Sequence, residues 1–152
     1  MILRGRVVAT MLLCASLAPA FAQSNRKHIV LEPSAERSAA PWSDAVLDGD
    51  TLYLSGYIGV DPKTLKPPAS AKDEARLALD DLKHTVESTG MTMDDLVKVE
   101  VFGTDLSLFG DFNSVYRTYF RNGYPARIFI GCNNLLLGAH FEVTGVAIRH
   151  RK

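Results

Sequence analysis

The sequence predicts an α+β fold in which one mixed β-sheet carries two helices on one face. The chain has 152 residues and is 47% hydrophobic, which is typical of a single globular domain. Its segments follow the order strand, strand, helix, strand, helix, strand, strand. Because helices alternate with strands only in part, the pattern favours a mixed sheet over an all-parallel α/β sheet.

Residues 1–22 differ in composition from the rest of the chain. Arg4 and Arg6 are followed by an apolar run over residues 7–17, and Ala20-Phe21-Ala22 forms a small-x-small pattern. This layout predicts a secretory signal peptide that is cut after Ala22, so the mature protein is expected to be periplasmic or secreted. The alternatives are an uncleaved membrane anchor or a buried helix, although the apolar run is short for a bilayer span.

The expected mature chain begins with a polar N-terminal arm over residues 23–39, with a short strand around His28. Cys132 is the one cysteine that remains after cleavage, which excludes an intrachain disulfide. The formal net charge of the full chain is zero, and no basic run is long enough to bind nucleic acid. No nucleic-acid partner is therefore expected, and no membrane association once the signal is removed.

The first two strands of the domain flank Asp48-Gly49-Asp50, a strong hairpin signal because glycine accepts positive φ. A proline-rich loop follows. The first helix is predicted to begin at Ser70, with Asp73 three residues later as in a capping box, and to stop at Gly90. Ala75, Ala78, Leu79, Leu82 and Val86 recur at helical spacing, so one face of this helix should lie on the sheet.

The second half of the chain continues with a half-exposed strand, in which Val97, Val99 and Val101 alternate with charged residues. A second helix is predicted over residues 108–121, with an aromatic face that we interpret as core. Two strands are predicted over residues 126–132 and 139–149. Two helices cover only one face of such a sheet, and its other face also carries apolar residues. We therefore expect a small oligomer.

The stretch "GYPARIFIGC" contains the residue that is hardest to explain as part of a fold. Arg127 precedes a run of apolar residues in a strand, and a buried arginine without a partner is costly. Glu142 lies at a comparable place in the following strand, and successive strands are usually neighbours. The pair could therefore form a plain salt bridge. Alternatively, Arg127 could grip a substrate carboxylate while Glu142 activates a water.

Other kinds of site have little support in the sequence. The four histidines show no metal-ligand spacing with each other or with cysteine, so no metal site is expected. The chain has no glycine-rich phosphate loop, and no Ser/His/Asp arrangement can be inferred from it.

Three stretches together resemble the RidA/YjgF family of reactive-imine deaminases. They are "APWSDAVLDGDTLYLSGYIGVDPKT", "DDLVKVEVFGTDLSLFGDFNSVYRTYF" and "YPARIFIG…GAHFEVTGVAI", and the match runs from about Ala40 to Ile148. The resemblance implies a family domain over residues 40–152 with a chorismate-mutase-like fold, a mixed six-stranded sheet with two helices on one face. It also implies a homotrimer with three clefts between subunits.

The resemblance also implies the residues of the site. Arg127, in "PAR", corresponds to the substrate-binding and catalytic arginine, and Glu142, in "FEVTGVAI", to the glutamate that holds the catalytic water. The further substrate-binding positions are Trp42, Ser55, Gly56, Asn113 and Phe129. Several positions depart from the family pattern: Trp42 replaces tyrosine, Tyr57 stands where glutamine is common, and Ile128 and Phe129 replace smaller residues. The cleft is therefore expected to be tighter and more apolar.

The activity implied is hydrolysis of reactive 2-imino or enamino acids to 2-keto acids and ammonia, as by a 2-iminobutanoate/2-iminopropanoate deaminase-like hydrolase. Such imines hydrolyse unaided, so orientation and a water are sufficient, and no metal or organic cofactor is required. The alternative is a non-catalytic trimer in the periplasm that binds small carboxylates. The ribonuclease activity of some relatives has little support here, because the sequence shows no basic groove.

Overall fold

The computed structural model describes residues 26–32 and 39–150. The predicted signal peptide therefore lies outside the described residues, as does most of the N-terminal arm. The described strands are β1 (Lys27–Ile29), β2 (Ala45–Asp48), β3 (Thr51–Leu54), β4 (Tyr57–Ile58), β5 (Leu96–Gly103), β6 (Ala126–Gly131) and β7 (Phe141–Ile148). The longer helices are α1 (Ala71–Ser88) and α2 (Phe109–Tyr116).

The strands form one mixed sheet of seven strands, in the order β1-β2-β3-β7-β5-β6, with the short strand β4 also paired to β7. β5 and β6 are parallel, and all other pairs are antiparallel. The predicted α+β class is thus confirmed. β7, the last strand in the sequence, occupies the centre of the sheet between β3 and β5, and this placement determines where the candidate site residues lie.

The hairpin signal is confirmed by β2 and β3, which pair with Asp48 opposite Thr51. Gly49 has φ of 61°, a backbone conformation that glycine adopts without steric cost. The turn fixes the register of both strands, so that Ala45, Leu52 and Leu54 are buried and Tyr53 is exposed.

The predicted first helix is also confirmed. The Ser70 hydroxyl accepts a hydrogen bond from the Asp73 N–H at 3.3 Å, which caps the first turn of α1. The apolar stripe of α1 is fully buried against the sheet. After Ser88 the chain leaves the helix through Gly90, whose φ is +76°.

The second helix is shorter than the sequence predicts. Regular α-helix covers only Phe109–Tyr116, and a 3-10 turn follows over Arg117–Tyr119. The Thr118 hydroxyl donates to the Val115 carbonyl at 2.7 Å, a local bond that competes with the helical ladder. The tighter turn allows the Tyr119 hydroxyl to reach Asp80 of α1 at 2.7 Å, which joins the two helices.

The two faces of the sheet have different surroundings. The core lies between the sheet and the helices, where Val99, Val101 and Val143 are at most 1% exposed. The opposite face, here called the open face, has no helix over it in the described structure. Large apolar side chains remain exposed on it: Tyr53, Ile128, Ile130 and Ile148.

Candidate functional site

Arg127 lies on the helix side of β6, where its guanidinium meets α2. Across the parallel pair it stands opposite Val99, a buried residue of β5, so both side chains share the helix face of the sheet. Its Nη2 donates a hydrogen bond to the Asn113 Oδ1 at 2.7 Å. Its Cζ lies 4.5 Å from the ring centroid of Tyr116 and 5.8 Å from that of Phe109, which places the cation against two aromatic rings.

The guanidinium of Arg127 borders a cavity rather than an acidic side chain. Among the described residues it makes no ion pair, and its hydrogen-bond partner is the neutral amide of Asn113. The cavity has a volume of about 400 Å³. Its lining is aromatic and cationic: Phe109, Asn113, Tyr116, Arg117, Tyr124, Pro125 and Arg127. We call Arg127, Asn113 and Tyr116 the arginine half-site.

The Tyr116 hydroxyl is buried beside the guanidinium. Burial raises the pKa of Tyr116 to about 12, with a further increase from Tyr124 and an opposing effect of the Arg127 charge. The phenol therefore keeps its proton across the neutral range. Tyr116 belongs to the aromatic face of the second helix, which we interpreted as core, and its ring stacks on that of Tyr124 at a centroid distance of 6.4 Å.

Glu142 lies on β7 and faces the open side of the sheet. It stands opposite Phe102 of β5 and Ile58 of β4. Its carboxylate rests directly on Gly56, because a Cβ added to that glycine would be 1.8 Å from the Glu142 Oε1. Only glycine leaves room for the carboxylate in this position. We call Glu142, Ser55 and Gly56 the glutamate half-site.

Ser55 and Trp42 line a second cavity, of about 490 Å³, beside the glutamate half-site. The Ser55 hydroxyl donates to the Ser43 carbonyl at 2.6 Å, so its oxygen remains available only as an acceptor. Trp42 is 58% exposed at the mouth of this cavity. Tyr57, which replaces the common glutamine, directs its hydroxyl to the Asp44 carbonyl at 2.8 Å and thereby braces the cavity wall.

The expectation that Arg127 and Glu142 lie on neighbouring strands was wrong. β5 lies between β6 and β7, and the alternation of side chains along β5 places Val99 on one face and Phe102 on the other. Arg127 shares the face of Val99, whereas Glu142 shares the face of Phe102. The two charged groups therefore lie on opposite faces of one chain's sheet, which also excludes a salt bridge within the chain.

Phe129 lies two residues after Arg127 on the same face, but it packs into the aromatic core. Its ring makes edge contacts with Phe109, Phe112 and Phe141, at centroid distances of 5.1, 5.5 and 6.5 Å. It supports Phe109, which lines the Arg127 cavity, and does not itself line that cavity. Its contribution to the site is therefore through the position of its neighbours.

No cluster of three or more His, Cys, Asp or Glu side chains within residues 26–32 and 39–150 could hold a metal ion. Within the same ranges, no helix combines the length and the apolar character that a membrane span requires.

Comparison with known proteins identifies the family of the chain. The family model described as Endoribonuclease L-PSP matches residues 32–149. The chain belongs to this family, which is also called RidA/YjgF. The resemblance noted in the sequence is thereby confirmed, and the match includes both half-sites.

Among the relatives are a RutC family protein of Sulfurisphaera tokodaii and a 2-iminobutanoate/2-iminopropanoate deaminase of Dermatophagoides farinae. The first is 36% identical over 75% of this chain and 92% of that protein. The second is 34% identical over 80% of this chain and 96% of that protein. The solved structure of Escherichia coli TdcF with bound serine matches with a TM-score of 0.73 and 32% identity, over 82% of this chain and all of that one. The family thus includes proteins named as deaminases.

Proposed function

We propose that the protein hydrolyses reactive 2-imino acids to 2-keto acids and ammonia, in clefts that form between copies of the chain. The observation that carries this proposal is the guanidinium of Arg127, which borders a cavity of about 400 Å³ and has an amide rather than a carboxylate as its partner. A cation held in this way offers its remaining N–H groups to an acid from outside the protein. The deaminase name of the Dermatophagoides farinae relative supports the same reaction class.

The two half-sites have complementary roles in this reaction. Arg127 binds the substrate carboxylate, and Asn113 holds the guanidinium in position. Glu142 orients a water against the imine carbon and accepts its proton as that water adds across the C=N bond. Glu142 passes this proton to the nitrogen. The tetrahedral adduct then collapses: its hydroxyl proton moves to the nitrogen, the C–N bond breaks, and ammonia and the 2-keto acid are released. The substrate is intrinsically reactive, so orientation provides much of the rate.

Because Arg127 and Glu142 lie on opposite faces of one sheet, a complete site requires two copies. We propose a homotrimer in which the arginine half-site of one subunit meets the glutamate half-site of the next. The exposed apolar side chains of the open face, among them Ile128 and Ile130, support an assembly that buries this face. Such a head-to-tail contact closes into a ring when its rotation matches the number of subunits.

We further propose that the mature protein works outside the cytoplasm, following the signal-peptide pattern of residues 1–22. Its substrates there must come from a reaction that oxidises amino acids to imino acids in the same compartment. The exposed Trp42, and Phe109 and Tyr124 in the lining of the Arg127 cavity, favour imino acids with apolar side chains.

A coupled assay tests the proposed activity. An amino-acid oxidase supplies a 2-imino acid, and its loss is followed with wild-type protein, with Arg127→Ala and with Arg121→Ala. Arg121 is an exposed arginine outside the cavity, so its variant controls for the loss of a positive charge. We expect imine loss to fall to the uncatalysed rate in Arg127→Ala and to stay at the wild-type rate in Arg121→Ala. Equal rates in the two variants would contradict the role of Arg127.

The second candidate function is binding of small carboxylates without chemistry. It is favoured by the Escherichia coli TdcF structure, which has serine bound. The same assay separates the two candidates when binding is measured beside it. A wild-type protein that binds 2-oxobutanoate but leaves the rate of imine loss unchanged would be a binding protein.

A further inference from the structure

Tyr116 lines the Arg127 cavity, and its buried hydroxyl is an unpartnered polar group. Tyr116 is 3% exposed, and within the described part of the chain its hydroxyl oxygen has no hydrogen-bond partner. The residue lines the same cavity as the guanidinium. Buried hydroxyl groups are nearly always hydrogen-bonded to protein or to water, so this exception leaves a donor that a ligand in the cavity can engage.

The Tyr116 ring is held in place by its neighbours, so its hydroxyl has a defined position. The ring stacks on Phe112 at a centroid distance of 5.8 Å and packs at a tilt against Phe120 at 4.7 Å. The Cζ of Arg127 lies over it at 4.5 Å. A donor fixed in this way loses little side-chain freedom when a ligand binds, which favours affinity.

The Tyr116 phenol and the Arg127 guanidinium are both hydrogen-bond donors at neutral pH, and both can therefore bind an anion. With its pKa raised to about 12 by burial, the Tyr116 phenol remains a hydrogen-bond donor at neutral pH. The guanidinium of Arg127 has five N–H donors, of which the hydrogen bond to Asn113 engages one. A carboxylate has two oxygens that can accept from several donors at once, so the cation and the phenol can share one carboxylate.

We propose that the Tyr116 hydroxyl donates a hydrogen bond to the carboxylate that Arg127 holds. This inference rests on the proposed function, because it takes the Arg127 cavity as the carboxylate subsite. Tyr116 is then a binding residue that orients the acid group, in addition to its packing role. The phenol adds one more directional donor to the planar fork of the guanidinium, which itself matches carboxylate geometry.

The test uses Tyr116→Phe, with Tyr119→Phe as its matched control. Tyr119 belongs to the same segment, but its hydroxyl bonds to Asp80 outside the cavity. The probes are sodium butanoate and sodium 2-oxobutanoate, whose binding is measured by calorimetry together with urea unfolding of each variant. We expect Tyr116→Phe to weaken both acids by roughly 10- to 100-fold, the range for a hydrogen bond to a charged group. Its unfolding midpoint should equal or exceed that of the wild type.

Tyr119→Phe should show the reverse pattern, with unchanged affinity and a lower unfolding midpoint. If Tyr116→Phe and the wild type bind both acids with equal affinity while Arg127→Ala loses binding, the role of the Tyr116 hydroxyl is overturned and the proposed function stands. A loss confined to 2-oxobutanoate would also overturn it, because the hydroxyl would then contact the 2-oxo group. If the wild type binds neither acid, or if Arg127→Ala binds both normally, the proposed function fails and this inference fails with it.

Discussion

Glu74 offers the sharpest test of how the fold positions the glutamate half-site. Its side chain is 0% exposed, and its carboxylate accepts hydrogen bonds from the backbone N–H groups of His140 at 2.5 Å and Phe141 at 2.9 Å. It also pairs with the His140 Nδ1 at 2.7 Å. Glu74 therefore ties α1 to the residues that lead into β7, directly before Glu142.

Replacement of Glu74 by alanine removes all three of these bonds and leaves two backbone donors without an acceptor. Each of the two backbone donors left unpaired costs about 1–3 kcal/mol. We expect Glu74→Ala to lower the free energy of unfolding by about 2–6 kcal/mol. Glu74→Gln keeps one carbonyl oxygen and should have a smaller effect.

The assay is urea unfolding at pH 7, followed by circular dichroism. Glu87→Ala is the matched control, because Glu87 lies on the same helix but is exposed, and its carboxylate pairs with Lys83 at 3.8 Å. Such a surface pair is worth about 0.5 kcal/mol or less. If Glu74→Ala costs no more than Glu87→Ala, the buried carboxylate does not hold β7 in place and the reasoning is refuted.

Two further predictions concern the glutamate half-site and the acid stability of the fold. Gly56→Ala places a methyl group on the Glu142 carboxylate, so imine hydrolysis should fall at least tenfold while the urea midpoint changes little; Gly110→Ala, with no atom within 4 Å, should retain activity. Burial on its own would raise the pKa of Asp95. The hydrogen bonds to its carboxylate, of which the one from the His150 side chain has the largest effect, lower this pKa from 3.8 to about 2. The ionised Asp95 therefore stabilises the fold above about pH 4, and this stability is lost as the pH falls toward 2. Asp95→Asn should cost about 2 kcal/mol at pH 7 and progressively less between pH 4 and 2, whereas a constant cost would contradict the assignment.

Local signals in the sequence predict the individual elements well. The Asp48-Gly49-Asp50 turn and the Ser70 cap are decided by residues that lie close together in the chain, and both are confirmed. Periodicity also predicts that Val99 and Val101 of β5 share a face, and both are buried. It does not identify the neighbours of a strand, because pairing joins distant segments. The insertion of β7 between β3 and β5 therefore could not be foreseen, and the expected proximity of Arg127 and Glu142 failed for that reason.

Some residues of the candidate site could be predicted from the sequence, and others could not. Arg127 is visible as a charge among apolar strand residues, and the family resemblance supplies Asn113, which the structure places beside it. Tyr116 was assigned to the core because a tyrosine at helical spacing looks like any other aromatic residue. Its hydroxyl is the one signal that could have set it apart. The sequence also did not indicate that His140 pairs with Glu74, because the two residues are 66 positions apart.

One experiment tests most directly whether the site forms between copies of the chain. Arg127→Ala and Glu142→Ala are prepared separately and as a co-expressed equal mixture, and imine hydrolysis is measured for all three samples. Each variant alone should be inactive. Random assembly of the mixture should restore about a quarter of the wild-type activity, because about one interface in four then joins an intact arginine half-site to an intact glutamate half-site. A mixture that stays as inactive as its two parents would contradict a site shared between subunits.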